Sequence, residues 1–153
     1  MTNNQQFFMR INHAFIITIL FMGCVNFACA GERLTVAVPT ANIRSGPGTH
    51  YDIIWQVYKY YPLKVLKQTK QWYRFVDFEG DKGWIYKPLV RKIASVITTK
   101  ENCNIRSGPG THYDVVFTTE KGVAFKILNR KGNWIHVRHA DGDEGWIYKS
   151  LVW

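Results

Sequence analysis

The chain has 153 residues, 46% of them hydrophobic and 20% charged, with 15% aromatic. That mixture excludes an intrinsically disordered polypeptide, which needs fewer apolar residues and a larger charge imbalance per length. A formal net charge of +9, spread along the chain instead of gathered in one run, favours anionic surroundings such as a cell wall, a phospholipid surface or nucleic acid.

Residues 1–30 read as an export signal. Arg10 supplies the positive segment, an apolar stretch runs from Ala14 to about Val25, and Ala28-Cys29-Ala30 gives a small-x-small cleavage pattern. Thr18 and Asn26 interrupt the apolar stretch, which falls short of the roughly 20 residues of a membrane span. Cleavage before Gly31 leaves no transmembrane span in the mature form; an uncleaved anchor, or lipid attachment at Cys24, are the alternatives. Cleavage also leaves Cys103 as the single cysteine, so no internal disulfide is expected.

Beyond Gly31 the chain repeats itself. Asn42 to Asp52 reads Asn-Ile-Arg-Ser-Gly-Pro-Gly-Thr-His-Tyr-Asp, and Asn104 to Asp114 has the same letters, an offset of 62 residues. The same offset carries Trp72 onto Trp134, Gly83-Trp-Ile-Tyr-Lys87 onto Gly145 to Lys149, and Leu89-Val90 onto Leu151-Val152. Two units follow, 31–92 and 93–153. Units of about sixty residues bury little apolar area alone, and only a few residues join them, so the two are expected to touch.

Within each unit the apolar residues alternate. Leu34–Val38, Ile53–Val57, Leu63–Lys67 and Trp72–Val76 read as strands, followed in the second unit by Val96–Thr98, Val115–Thr119, Phe125–Asn129 and Trp134–Arg138. Glu79-Gly-Asp and Asp141-Gly-Asp mark turns, and Ser-Gly-Pro-Gly marks a tight one. The fold class is all-β, with helix close to nil. Cys103 stands where the first unit has Ala41, the place of a small buried residue.

The Asn-Ile-Arg-Ser-Gly-Pro opening, the Trp about thirty residues later and the closing Gly-Trp-Ile, present twice in that order, resemble the bacterial SH3-like (SH3b) domain family. The resemblance implies two tandem small SH3-like β-barrels. It also implies an exported protein of the periplasm or cell envelope, whose modules target peptidoglycan or another envelope partner. The family does not fix the ligand, because function lives in sites grafted on folds.

Outward-facing aromatic and cationic residues are the binding candidates. Alternation puts Tyr73 and Phe75 toward the core and Trp72, Arg74 and Val76 on the opposite face. Trp134 and His136 occupy that face in the second unit. Trp84 with Tyr86 and Trp146 with Tyr148 share one side. With Tyr51 and Tyr113 these residues suit an extended peptide or a sugar ring. Arg44 and Arg106 are expected to pair with Asp52 and Asp114 of their own loops.

No nucleophile–base–acid set recurs, and the glycine loop lacks the Gly-Lys-Ser/Thr ending of a phosphate cradle. No Cys/His cluster has metal-ligand spacing. The expectation is a non-catalytic protein without cofactor or metal, recognising cell-wall peptide, peptidoglycan or an envelope component. The alternative is a protein–protein adaptor for a proline-rich or extended segment of an envelope protein. Export argues against a nucleic-acid partner.

Overall fold

A computed structural model describes residues 31–153; the signal expected over residues 1–30 lies outside them. Helix among the described residues is limited to two short 3₁₀ turns, Lys87–Leu89 and Lys149–Leu151. No helix among them is long and apolar enough to cross a membrane.

The first sheet contains β1 (Arg33–Val36), β2 (Thr40–Arg44), β3 (Ile53–Tyr58), β4 (Pro62–Gln68), β5 (Trp72–Val76), β6 (Lys82–Tyr86) and β7 (Val90–Arg91). Its spatial order is β3-β2-β6-β5-β4-β1-β7. The second contains β8 (Ser95–Ile97), β9 (Cys103–Arg106), β10 (Val115–Thr119), β11 (Ala124–Lys131), β12 (Trp134–Arg138) and β13 (Glu144–Tyr148), in the order β10-β9-β13-β12-β11-β8. The pairing in both is antiparallel. The second order is the first displaced by 62 residues. Even the β1–β7 pairing has its image, reduced to one bridge between Thr98 and Val152.

The expected closure into small barrels is not found in the strand pairing. Each sheet stays open, with β3 and β7 at the edges of the first and β10 and β8 at those of the second. Register shifts at Val65/Lys67 and again at Ile127/Asn129 place an extra residue in β4 and in β11, which bends and twists those strands.

Side-chain alternation fills one core per sheet. Ile43, Leu63, Val65, Phe75 and Ile85 are fully buried in the first, and Ile105, Phe125, Val137 and Ile147 in the second. Tyr73 packs half-buried beside Phe75, on the face expected for it. Strand β1 ends at Val36, two residues before the expected Val38, which is half-buried against the same core. A Cβ added at Gly83 would overlap the Cγ2 methyl of Ile43, and one at Gly145 that of Ile105. The glycine before each closing Trp-Ile-Tyr therefore lets β6 approach β2, and β13 approach β9.

The two sheets touch, as the length of each unit led one to expect. The Thr35 hydroxyl, 1% exposed, donates to the Ile93 carbonyl at 2.6 Å and lies 2.6 Å from the Ser95 hydroxyl. Lys121 of the second half pairs with Glu79 of the first at 2.6 Å. The Arg33 guanidinium stacks 3.8 Å from the Trp153 ring centroid. Cys103 is the small buried residue expected, 1% exposed, and its thiol donates to the Lys100 carbonyl. Burial pushes that thiol's pKa up, which keeps it protonated and weakly nucleophilic.

Candidate functional site

Strand β2 ends at Arg44, and the chain then makes the Ser45–Asp52 loop before returning as β3. The loop is held from inside. Arg44 Nη1 donates to the carbonyl oxygens of Thr49 at 3.0 Å and Tyr51 at 2.7 Å. Arg106 repeats both bonds, to Thr111 at 3.2 Å and Tyr113 at 2.8 Å. The expected Arg44–Asp52 and Arg106–Asp114 ion pairs do not form. The curl of the loop turns two carbonyls toward each guanidinium, and a cationic donor to a carbonyl satisfies both groups. Asp52 contributes its backbone oxygen instead, which accepts from Ser45 N–H at 3.0 Å.

The Tyr51 ring lies directly on Gly46, where an added Cβ would overlap it, and the Tyr113 ring lies on Gly108 in the same way. His50 packs against Gly48 and beside Tyr51, ring centroids 4.3 Å apart. Tyr51 and Tyr113, 40% and 39% exposed, thus brace their loops.

Between each loop and the β5–β6 pair lies a groove. In the first half it has a volume of about 830 Å³, with Thr40, Asn42, Arg44, Thr49, Trp72, Tyr86 and Leu89 among its walls. In the second half it is smaller, about 490 Å³, and is walled by Asn102, Asn104, Arg106, Thr111, Trp134, Tyr148 and Leu151. Every one of those seven is the 62-residue image of a wall residue of the first groove. The duplication thus extends from strands to a surface site.

The groove's hard wall is aromatic. Trp72 and Tyr86 are cross-strand partners with centroids 5.4 Å apart, and Trp134 and Tyr148 repeat the pair at 5.3 Å. Both tryptophans were expected to be partly exposed. Trp134 is half-buried, but Trp72 is only 7% exposed, so it offers the groove less surface than Tyr86, which is 37% exposed. The opposite wall of the first groove carries Thr40, Asn42, Thr49 and Gln56 together with Arg44 and His50. Gln56 Nε2 donates to Asn42 Oδ1 at 2.8 Å, which fixes the amide beside the groove. Asn133 and the Tyr148 hydroxyl are joined at 3.2 Å in the second half.

Arg74 and Trp84 form the next cross-strand pair along β5–β6, as do His136 and Trp146 along β12–β13. All four lie outside the groove walls. His136 is stacked flat on Trp146, centroids 4.9 Å apart, with Nε2 3.5 Å from Glu144, which also pairs with Arg138. The corresponding first-half residues are Arg74, Val76 and Lys82, so this neighbouring face is cationic in one half and charge-balanced in the other. Of the candidates read from the sequence, the structure gathers Trp72, Tyr86, Trp134 and Tyr148 into the grooves. It adds Asn42, Asn104 and the loop arginines, whose signal was the letter-for-letter repeat itself. Among the described residues no group of three or more His, Cys, Asp or Glu stands close enough to hold a metal ion.

The profile of a family described as bacterial SH3 domain matches residues 37–92 and 99–153. This chain belongs to that family. The two bacterial SH3 domains carry one groove each; their matched ranges take in β2 to β7 of the first sheet and β9 to β13 of the second, leaving out β1 and β8.

Over 160 aligned residues the chain is 26% identical to a protein of Bacillus subtilis (strain 168) named as an N-acetylmuramoyl-L-alanine amidase, YrvJ, an alignment that covers 97% of this chain and 31% of that one. Over 52 residues it is 46% identical to a Staphylococcus epidermidis protein named as a cell wall amidase, LytH, covering 33% of this chain and 18% of the relative. The chain thus spans less than a third of the length of either relative. Among solved structures, an NlpC/P60 family protein from Bacillus cereus ATCC 10987 overlays 80% of this chain and 56% of its own, at 12% identity and a TM-score of 0.39. That likeness is too low to bear on the groove.

Proposed function

We propose that this chain is a non-catalytic, exported binding protein whose two bacterial SH3 domains each seat a segment of cell-wall peptide in the groove between the Arg-braced loop and the Trp–Tyr pair. The observation that carries the reading is the duplication of seven wall residues at one offset in two cavities. Amide, hydroxyl and arginine groups on one wall suit the carbonyls and carboxylates of a peptide, and the aromatic wall offers contact area at low entropic cost. Neither groove is walled by a carboxylate or a thiol, and the one imidazole, His50 of the first, has no counterpart among the walls of the second. Similarity to proteins named as wall amidases supports peptidoglycan as the polymer and the envelope as the location.

Two weak sites at a fixed separation bind a polymer more tightly than either alone when geometry lets both engage. Co-sedimentation with purified sacculi tests this. The wild-type chain is expected in the pellet, Tyr86→Ala or Tyr148→Ala partly released, and the double variant in the supernatant. A double variant that pellets like wild type sinks the groove reading. Failure of the wild type to pellet at low salt sinks wall binding, and leaves an extended envelope-protein segment as the groove's occupant.

A further inference from the structure

The grooves leave other concavities of the surface unexplained. Where the two sheets meet there is a cleft of about 520 Å³ between β1 of the first domain and β11 of the second. Four cations line it: Arg33, Lys92, Arg130 and Lys149. No Asp or Glu side chain lines it. Lys92 reaches Glu32 at 2.6 Å, but among the described residues Arg33, Arg130 and Lys149 make no ion pair. The cleft floor is apolar, from Leu34, Ile127 and Val152.

Like charges gathered on one cleft with no acidic side chain among them attract an anion. All four are exposed residues, and one of them is fixed in place. Arg33 cannot swing freely away, because its guanidinium is stacked 3.8 Å from the Trp153 ring. Arg130 lies near the end of β11, whose other end is paired with β8. Burial, and then the charge of Arg130, draw the Arg33 pKa down.

We propose that this interdomain cleft is an oxyanion site that takes a phosphoryl group, with Arg33 of the first domain and Arg130 of the second as its two guanidinium ligands and Lys149 as a third cation. A phosphate monoester carries close to two negative charges near neutral pH on three acceptor oxygens, which matches two forked donors better than one carboxylate does. The site is assembled only by the junction, so its occupation joins the two domains. It shares no wall residue with either groove, and it stands whether or not the grooves bind peptidoglycan.

The test is a titration of the full mature chain at low salt, followed through the Trp153 indole N–H resonance. Inorganic phosphate is expected to give a saturable shift. Arg130→Gln, an exposed position whose loss leaves both cores intact, is expected to weaken it about tenfold, the loss of one charge-assisted bidentate pair. Lys149→Gln is expected to weaken it less, and Tyr86→Ala with Tyr148→Ala to leave it unchanged. A short poly(glycerol phosphate) binding more tightly per phosphate than the free ion assigns the site to an envelope polymer. Equal affinity assigns it to a phosphate-bearing small molecule. Absence of a saturable shift, a shift reproduced by chloride at matched ionic strength, or an unaltered titration in a folded Arg130→Gln protein overturns the proposal.

Discussion

Arg44 donates to the backbone carbonyl of Tyr51 at 2.7 Å, while the Tyr51 ring lies on Gly46 at the start of the same loop. The loop is thereby closed at both levels, backbone and side chain, and presents a fixed wall to the groove. Arg106 and Tyr113 repeat the arrangement at 2.8 Å. Arg44→Ala removes a charged donor from two carbonyls that water can partly reach, so its cost is about 1 kcal/mol. For a domain of this size that lowers the midpoint of thermal unfolding by about 4–8 °C, and Arg106→Ala is expected to act alike on the second domain. Differential scanning calorimetry checks both; an unchanged midpoint for either contradicts the bracing role.

The two groove tryptophans differ in how much they support their domains. Trp72 is 7% exposed and Trp134 is half-buried. Trp72→Ala is expected to cost about 3–5 kcal/mol, as for a buried Trp truncated to Ala, and Trp134→Ala distinctly less. Urea unfolding of the two variants measures the difference. Equal costs contradict the assigned burial.

Thr35 ties the domains through the Ile93 carbonyl and the Ser95 hydroxyl, and it is 1% exposed. Thr35→Val keeps the shape, leaves the Ile93 carbonyl without its donor and the Ser95 hydroxyl without its acceptor, and costs about 1–3 kcal/mol. The expected calorimetric result is a broadened transition that resolves into two, as the domains lose coupling. A single sharp transition at the wild-type midpoint rules this role out.

Tyr61 donates to Asp77 Oδ2 at 2.9 Å. The same carboxylate, 7% exposed, accepts the backbone N–H groups of Glu79 and Asp81 at 2.9 Å. Burial, then the hydrogen bond to Asp77, raises the Tyr61 pKa above its ordinary 10.0. A raised folded-state value means that the stabilisation is whole below pH 10 and is lost as pH rises beyond it, where the unfolded phenol ionises first. Denaturant unfolding between pH 8 and pH 11.5 is expected to show this decline in the wild type and a shallower one in Tyr61→Phe, a window chosen to bracket the ordinary tyrosine range.

Much of this architecture was legible before any coordinates. The 62-residue offset aligns β2 with β9, β5 with β12 and β6 with β13, and alternation placed Phe75 inside correctly. Cys103 was legible as packing because it replaces Ala41. The groove was only half legible. Trp72 and Tyr86 are neighbours through a strand pairing that alternation suggests, whereas Asn42 and Arg44 join them only because β2 crosses to lie beside β6, a long-range choice that no local pattern encodes. The partner of Arg44 was misread for a similar reason. Asp52 is near in sequence, but the path of the loop brings carbonyls, not the carboxylate, to the guanidinium.

The central claim is that one ligand-binding groove occurs twice. Titration of the protein with a soluble muropeptide, followed through the indole N–H resonances of Trp72 and Trp134, tests it most directly. Saturable shifts of both resonances, with Tyr86→Ala abolishing only the first and Tyr148→Ala only the second, are the predicted result. Shifts confined to tryptophans outside the grooves, such as Trp84 and Trp146, or no shift at all, would contradict it.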